Sequence, residues 1–225
     1  MTKEIIIQTI NLVKNYSDGE NITKVLKGLN IEIAKGEFVA IMGRSGAGKS
    51  TLLYQLGLLD TPTSGEIKLM NKLVSHLDSK QRSIFRLNNL GFVFQDYALI
   101  PELNALENVA IPLLMKSFTK EKAYQISREV LRKVGLEGKE NNLPSELSGG
   151  QQQRVSVARA VAHGPDIVFA DEPTANLDSF SGQEVISLFR ELNKEGQTIV
   201  MVTHEEDYGK LADRIIKLSD GEVVN

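Results

Sequence analysis

The chain has 225 residues, 41% hydrophobic and 24% charged, enough to bury a substantial core as one domain or a domain with a lobe. Its 26 lysines and arginines against 29 aspartates and glutamates leave a formal charge of −3, which argues against general nucleic-acid binding but permits a local positive pocket. With no cysteine, disulfides and thiolate metal sites are excluded, and a reducing compartment is permitted.

Residues 1–8 turn polar too early for a signal peptide. The best apolar run, 109–115, is short and broken by Pro112, whereas a membrane-spanning helix needs roughly 20 apolar residues. The chain is therefore expected not to cross a membrane, and any pore it powers is expected to be another polypeptide. The first third reads as strands. Apolar residues alternate at Val25, Leu29, Ile31 and Ile33 before a turn at Lys35 and Gly36. Residues 38–42 form a continuous apolar run, as expected of a strand buried on both faces. A glycine-rich loop follows, and Ser50, Thr51, Leu52 and Leu53 continue as a helix. A loop at 61–65 precedes a short strand at 66–69.

In the middle, Ala123, Ile126, Val130, Leu131 and Val134 share one helical face, closed by Gly135. Residues 97–163 read as a mostly helical lobe inserted into an α/β core of 1–96 and 164–225, within one domain over 1–225. Gly164 and Pro165 return the chain to the sheet, and 167–170 is a second buried strand ending in Asp171 and Glu172. Ser181 to Glu184 fits a capping box, followed by the stripe Val185, Leu188, Phe189 and Leu192. Residues 198–202 form a third buried strand, ending at Thr203 and His204. Asp220-Gly221 between two apolar stretches signals a hairpin. Strands alternating with helices imply a mainly parallel sheet with ligand chemistry at the strands' carboxyl ends.

Residues 43–50 match the phosphate-loop pattern G-x-x-x-x-G-K-[ST], in the strand-loop-helix setting that pattern needs. Gly43, Gly46 and Gly48 let the backbone turn its amide N–H groups inward at phosphate oxygens. The following helix adds the positive end of its dipole. Lys49 adds a full charge for the β and γ phosphates, Ser50 a hydroxyl for Mg²⁺, and Thr51 reaches toward the α phosphate. Asp171, at a strand end, can meet Mg²⁺ through water. Strand alternation turns Glu172 a different way, toward the γ phosphate, as a general base that polarises the attacking water. Gln95, after the strand-like run 91–94, can touch Mg²⁺ or that water and swing away, which suits a sensor. His204 is placed for a γ-phosphate contact, while His76 and His163 read as surface residues. Ser148, Gly149 and Gly150 form a glycine-lined helix start with a hydroxyl, a phosphate-binding surface with no obvious partner in its own chain. Composition does not say whose phosphate it binds. Gln152, Gln153 and Arg154 begin the helix, with Val155, Ala158 and Ala162 on one face.

The phosphate loop, followed far downstream by Leu147-Ser148-Gly149-Gly150-Gln151, is similar to the nucleotide-binding subunit of ABC transporters. Residues 4–224 resemble that subunit with every motif in order. The resemblance implies an α/β P-loop NTPase core with a mainly parallel sheet, an N-terminal antiparallel β portion and an inserted helical lobe. It implies ATP and Mg²⁺ as cofactors, with Tyr16 stacked on adenine and residues 43–51, including Ser45 and Ala47, as the Walker A loop. Gln95 would be the Q-loop, and residues 147–151, with Gln151, the signature. Residues 167–171 would be the Walker B strand with Glu172 as base, 175–178 the D-loop and His204 the switch histidine. The resemblance further implies a head-to-tail homodimer in which the signature of one copy closes on the γ phosphate held by the other. A separate membrane permease would dock near Gln95 and the helical lobe, at 97–106 and 108–114. The expected location is then cytoplasmic, peripheral on the inner face of the plasma membrane.

The runs at 38–43, 91–95, 99–101, 105–109 and 147–155 resemble one branch closely: the lipoprotein-release, macrolide-efflux, antimicrobial-peptide-resistance and cell-division ATPases. Its members work with membrane subunits that transmit force to extracytoplasmic domains, often without moving substrate across the bilayer. Arg44 stands where proline is common and Ala175 where glycine is common, and neither removes a catalytic group. Two alternatives accompany this reading. One is a regulatory ABC ATPase gating a cell-wall enzyme through a membrane partner. The other is a soluble ABC ATPase acting on nucleic acid or ribosomes, a class that usually carries paired cassettes or long coiled-coil insertions.

Overall fold

A computed structural model describes residues 4–19 and 21–224; residues 1–3, the start of the segment read as too polar for a signal peptide, lie outside the described residues. The elements run β1 (Ile5–Asp18), β2 (Asn21–Ala34), β3 (Phe38–Met42), α1 (Lys49–Leu56), β4 (Ser64–Leu69), β5 (Lys72–Leu73), α2 (Ser79–Asn89) and β6 (Leu90–Val93). They continue with α3 (Ala105–Met115), α4 (Lys120–Lys133), a 3-10 turn (Pro144–Glu146), α5 (Gly149–Val161), β7 (Ile167–Asp171) and α6 (Ser179–Lys194). The last are β8 (Thr198–Val202), α7 (Glu206–Gly209), β9 (Arg214–Ser219) and β10 (Glu222–Val224). Two compact units result: Met1–Ile84 with Asn193–Asn225, and Phe85–Leu192.

The first unit holds an antiparallel sheet in the order β2-β1-β4-β5 and a second set in the order β10-β9-β3-β8. In that set β9, β3 and β8 are parallel, and β10 turns back on β9. Every residue of β3 and β8 is buried, as the unbroken apolar runs predict for parallel strands covered on both faces. The alternation in β2 differs from its sequence pattern. Leu26 is fully buried, where Val25 was expected to start the inward set. Leu29 pairs with Leu12 and Lys27 with Val13, which leaves Gly28, at φ +83°, as an extra residue. A bulge of this kind moves the inward side chains by one position, and glycine adopts its left-handed backbone without strain. At the end of the chain Asp220 (φ +48°) and Gly221 (φ +79°) form the expected two-residue hairpin turn.

In the second unit β6 and β7 pair in parallel, with the Phe92 ring stacked on Phe169 at 5.7 Å. The helical stretch is present as α3, α4 and α5. α4 starts at Thr119, whose hydroxyl accepts from the Lys122 N–H, and stops at Gly135 with φ +72°. Its inward face buries Ala123, Ser127 and Leu131; Ile126 and Val130 are half-buried. Ser127 tolerates burial because its hydroxyl donates to Ala123 O at 2.8 Å. α6 begins earlier than the capping box at Ser181 predicts. The Asp178 carboxylate accepts from Phe180 N, Ser181 N and the Ser181 hydroxyl, which puts Ser181 inside the first turn. Those bonds, the Ser181 N–H first, hold the Asp178 carboxyl below its ordinary value. α2 was not anticipated: it buries none of its residues fully, and its apolar residues are only Ile84, Phe85 and Leu87.

Candidate nucleotide site

The first unit supplies the phosphate loop. At Gly43 a Cβ would lie 2.2 Å from Leu218 O, so only glycine leaves β3 this close to β9. Gly46 (φ +80°) and Gly48 (φ +96°) then take left-handed backbone, which folds the loop back over the start of α1. Lys49 is 9% exposed, and its ammonium donates to Gly43 O at 3.0 Å and Arg44 O at 3.3 Å, lying across the turn. The Gly221 N–H donates to Ala47 O at 3.2 Å, so the terminal hairpin braces the loop. Gly48 offers no side-chain cap and the first turn of α1 carries no acid. The positive end of that helix is thus left for an anion. Ser45 and Gly46 are exposed, Ala47 and Gly48 buried, Ser50 and Thr51 half-buried.

Tyr16, on β1, is brought to the same place: the Thr51 side chain lies near enough to its phenol to affect the phenol's pKa. His204 is exposed, two residues beyond the end of β8.

The second unit supplies the acids, the glutamine and the signature segment. Asp171 ends β7 at 7% exposure. Glu172 has φ +46°, so the strand alternation invoked to separate the two carboxylates stops at Asp171, and a left-handed turn sets the direction of Glu172. Gln95 is exposed beyond β6. Gln153 on α5, fully buried, donates to Phe94 O at 3.3 Å and Pro173 O at 2.7 Å. One side chain therefore ties the residue before Gln95 to the residue after Glu172. Asn176 adds bonds to Gln95 O at 3.1 Å and Asp96 Oδ1 at 3.2 Å. Tyr97 and Ala98 have φ +60° and +51°, and the Arg159 guanidinium donates to both of their carbonyls. Burial lowers the Arg159 pKa. Sequence reasoning did not single out Gln153 or Arg159 as site residues, and Asn176 entered only as part of the 175–178 D-loop. The one signal was that Gln153 and Arg159 share α5 with a run of buried apolar residues.

α5 begins at Gly149 rather than at 152. Ser148 is its cap: the hydroxyl accepts from Gln151 N at 3.3 Å, and Gln151 Oε1 accepts from Ser148 N at 3.0 Å. A Cβ on Gly149 would lie 2.9 Å from Tyr97 Oη, and one on Gly150 2.8 Å from Ser181 Oγ, so both positions stay bare backbone. His76 is exposed, as expected, and His163 is half-buried. Its Nε2 bonds Leu90 O at 3.1 Å, its Nδ1 is buried without a hydrogen-bond partner, and burial lowers its pKa. Among the described residues no group of three or more His, Cys, Asp or Glu could hold a metal. The first unit offers the Ser50 hydroxyl and the second the Gln95 amide oxygen and the Asp171 carboxylate, hard oxygen donors of the kind Mg²⁺ takes alongside water and phosphate.

A lysine-closed glycine loop between a strand and a helix defines a phosphate-loop nucleotide-binding protein. The sequence profile of the ABC transporter family matches residues 26–175. The chain is 48% identical over 220 residues to the macrolide export ATP-binding/permease protein MacB of Mannheimia succiniciproducens, covering 98% of this chain and 34% of that protein. It is 49% identical over 211 residues to the lipoprotein-releasing system ATP-binding protein LolD of Aquifex aeolicus, covering 91% of this chain and 94% of that one. The chain thus spans about a third of MacB and nearly the whole of LolD. Among solved structures, the dimeric ATP-binding cassette MJ0796 in a post-hydrolysis state with ADP and Pi superposes with a TM-score of 0.91 at 44% identity, over 98% of this chain and 97% of that one. The chain belongs to the ABC transporter family and is an ATP-hydrolysing cassette.

Proposed function

We propose that two copies of this chain close around two Mg-ATP and that closure drives a membrane permease, in export, lipoprotein release or resistance to peptides and antibiotics. The observation that carries this reading is the bare start of α5. Ser148 presents its hydroxyl, and Gly149 and Gly150 their backbone amides, on a helix with no acid in its first turn. Residues 43–51 already provide one phosphate surface, so each chain has a second to offer, and a head-to-tail pair uses both. A permease partner is supported by MacB, whose name joins ATP-binding and permease functions, and of which this chain matches 34%. No helix among the described residues is long and apolar enough to cross a membrane. The chain would sit peripherally on the cytoplasmic face, docked through 97–106 and 108–114, where Ile100 and Leu114 are exposed apolar residues. In this division 97–163 is the helical subdomain, and 1–96 with 164–225 the RecA-like core with its antiparallel β portion.

In the proposed cycle Tyr16 stacks on adenine, Thr51 meets the α phosphate, and Lys49 with the loop amides holds the β and γ phosphates. Ser50, Asp171 and Gln95 would hold Mg²⁺, which supplies charge neutralisation across those phosphates. Glu172 accepts a hydrogen bond from the attacking water and takes its proton. The water oxygen bonds to the γ phosphorus as the bond to the β–γ bridging oxygen breaks, and ADP leaves with the electron pair. His204 donates to the γ phosphate as its charge develops, and Gln95 senses the change.

Two variants test the chemistry. Lys49→Ala is expected to lose productive ATP binding, and normal turnover would remove the phosphate-loop assignment. Glu172→Gln is expected to bind ATP, to turn over about 10² to 10⁴ times more slowly, and to accumulate a dimer on size-exclusion chromatography. A monomeric, active Glu172→Gln protein would refute both base and sandwich. The partner is tested by recovering proteins from solubilised membranes on ATP-loaded Glu172→Gln. A permease with an extracytoplasmic domain is the expected catch; ribosomal or DNA-bound proteins alone would overturn the transport reading.

A further inference from the structure

β1 places Lys14 and Tyr16 two residues apart, on one side of the strand. Lys14 is 8% exposed, and its ammonium is held by Asp60 Oδ1 at 2.9 Å, Asp60 Oδ2 at 2.8 Å and Thr61 O at 2.7 Å. The same nitrogen stands 4.7 Å from the centre of the Tyr16 ring, within the range of a cation–π attraction. Tyr16 Oη donates to Asp60 Oδ2 at 3.0 Å, so one carboxylate grips both side chains. The Thr51 side chain, in the first turn of α1, acts on the same phenol and lowers its pKa, against the larger effects of burial and Asp60. Tyr16 is nevertheless 44% exposed: it is anchored at its hydroxyl and covered over one face, while much of the ring stays open.

We propose that Lys14 and Asp60 are positioning residues for nucleotide recognition, which hold the Tyr16 ring in one orientation and occupy one of its faces so that a purine base stacks on the other. The inference rests on the reading of Tyr16 as the residue that meets adenine. A ring already fixed in place loses little freedom when a base stacks on it, whereas a free phenol would have to be ordered at that moment. The pair is also electrically settled. Burial raises the Asp60 pKa, but the bonds from Lys14, the Thr61 N–H and Tyr16 outweigh it and keep the carboxylate ionised. Burial, then Asp60, pushes the phenol up, so it remains a donor at neutral pH.

The test compares ATP with inorganic tripolyphosphate, which carries the phosphates without a base, in Lys14→Met, Asp60→Asn, Lys14→Arg and Tyr16→Ala. Lys14→Met and Asp60→Asn are expected to raise KM for ATP about threefold to tenfold. Their kcat should stay within about twofold of the parent, and tripolyphosphate affinity should not move. Lys14→Arg, which keeps a cation over the ring, should restore most of the loss. If Tyr16→Ala weakens ATP binding while Lys14→Met and Asp60→Asn behave as the parent, the positioning role is overturned and the Tyr16 reading stands. If Tyr16→Ala binds ATP normally, the Tyr16 reading itself falls. Equal weakening of ATP and tripolyphosphate in Lys14→Met and Asp60→Asn would show a general loss of the strand and would also overturn the proposal.

Discussion

Three non-glycine residues in or beside the proposed chemistry take left-handed backbone: Glu172 at φ +46°, Tyr97 at +60° and Ala98 at +51°. Each costs on the order of 1 kcal/mol or more, and such geometry persists only where its surroundings hold it. Here the holders are visible: Arg159 on the Tyr97 and Ala98 carbonyls, Gln153 on Pro173 O just past Glu172. His163 shows the same dependence in a titratable group. Its neutral ring bonds Leu90 O and leaves Nδ1 buried without a partner, so a second ring proton would have no acceptor. Burial therefore keeps its folded pKa below the ordinary 6.5. Above that ordinary value both states are neutral and the site contributes fully. As pH falls through about 6.5, the unfolded chain takes the proton first and stability is lost until the folded pKa is passed. The urea midpoint of the parent should thus fall between about pH 7 and 5 more steeply than that of His163→Gln, which can still donate to Leu90 O. Equal slopes in the two proteins would show that this imidazole is not buried as described.

At the scale of elements, helix starts concentrate both stability and function. α5 is capped by Ser148 through a reciprocal box with Gln151, and the same segment is the proposed phosphate surface. The two roles separate by substitution. Ser148→Ala should lower unfolding free energy by about 1 kcal/mol, while Ser148→Asn and Ser148→Asp should keep the cap. Ser148→Asp should still lose most ATPase turnover, because a carboxylate there repels the γ phosphate. Denaturant melts and steady-state rates on the three proteins decide it; full turnover in a stable Ser148→Asp protein would place the phosphate elsewhere. α3 shows a different solution. Pro112 lies within it, and the helix continues to Met115. Asn108, fully buried, donates to Ile100 O, Leu103 O and Asn104 O and accepts from Ile100 N. That single amide fixes the 100–104 stretch proposed to face the permease.

For the whole molecule, nucleotide binding must appear as stability. A ligand that binds only the folded chain, at a hundred times its Kd, stabilises by about 2.7 kcal/mol. For a chain of this length that corresponds to a rise in Tm of about 5–10 °C. Mg-ATP should produce such a shift in the parent. In Glu172→Gln the shift should be larger and should grow with protein concentration, because a closed dimer adds its own linkage. In Lys49→Ala it should vanish. A Lys49→Ala protein with the parent's shift would mean that this lysine does not bind nucleotide.

Much of this molecule was determined by the sequence alone, because the signals were local. Unbroken apolar runs marked β3, β7 and β8, and glycines spaced before Lys49 marked a loop that only left-handed backbone can form. The Asp220-Gly221 pair required a tight turn, and the ABC signature was readable as five consecutive residues. Other features depended on tertiary structure. α2 had only Ile84, Phe85 and Leu87 as apolar residues, and the bulge at Gly28 exchanged Val25 for Leu26 in the core. The starts of α5 and α6 lay with Ser148 and Asp178, where the competing caps had to be weighed in three dimensions. The bonds that shape the proposed site join Lys14 to Asp60, Arg159 to Tyr97, and Asn176 to Gln95, across 46, 62 and 81 positions. A hydrogen bond between distant residues leaves no period or spacing in the chain, so only folding decides which polar side chain meets which carbonyl.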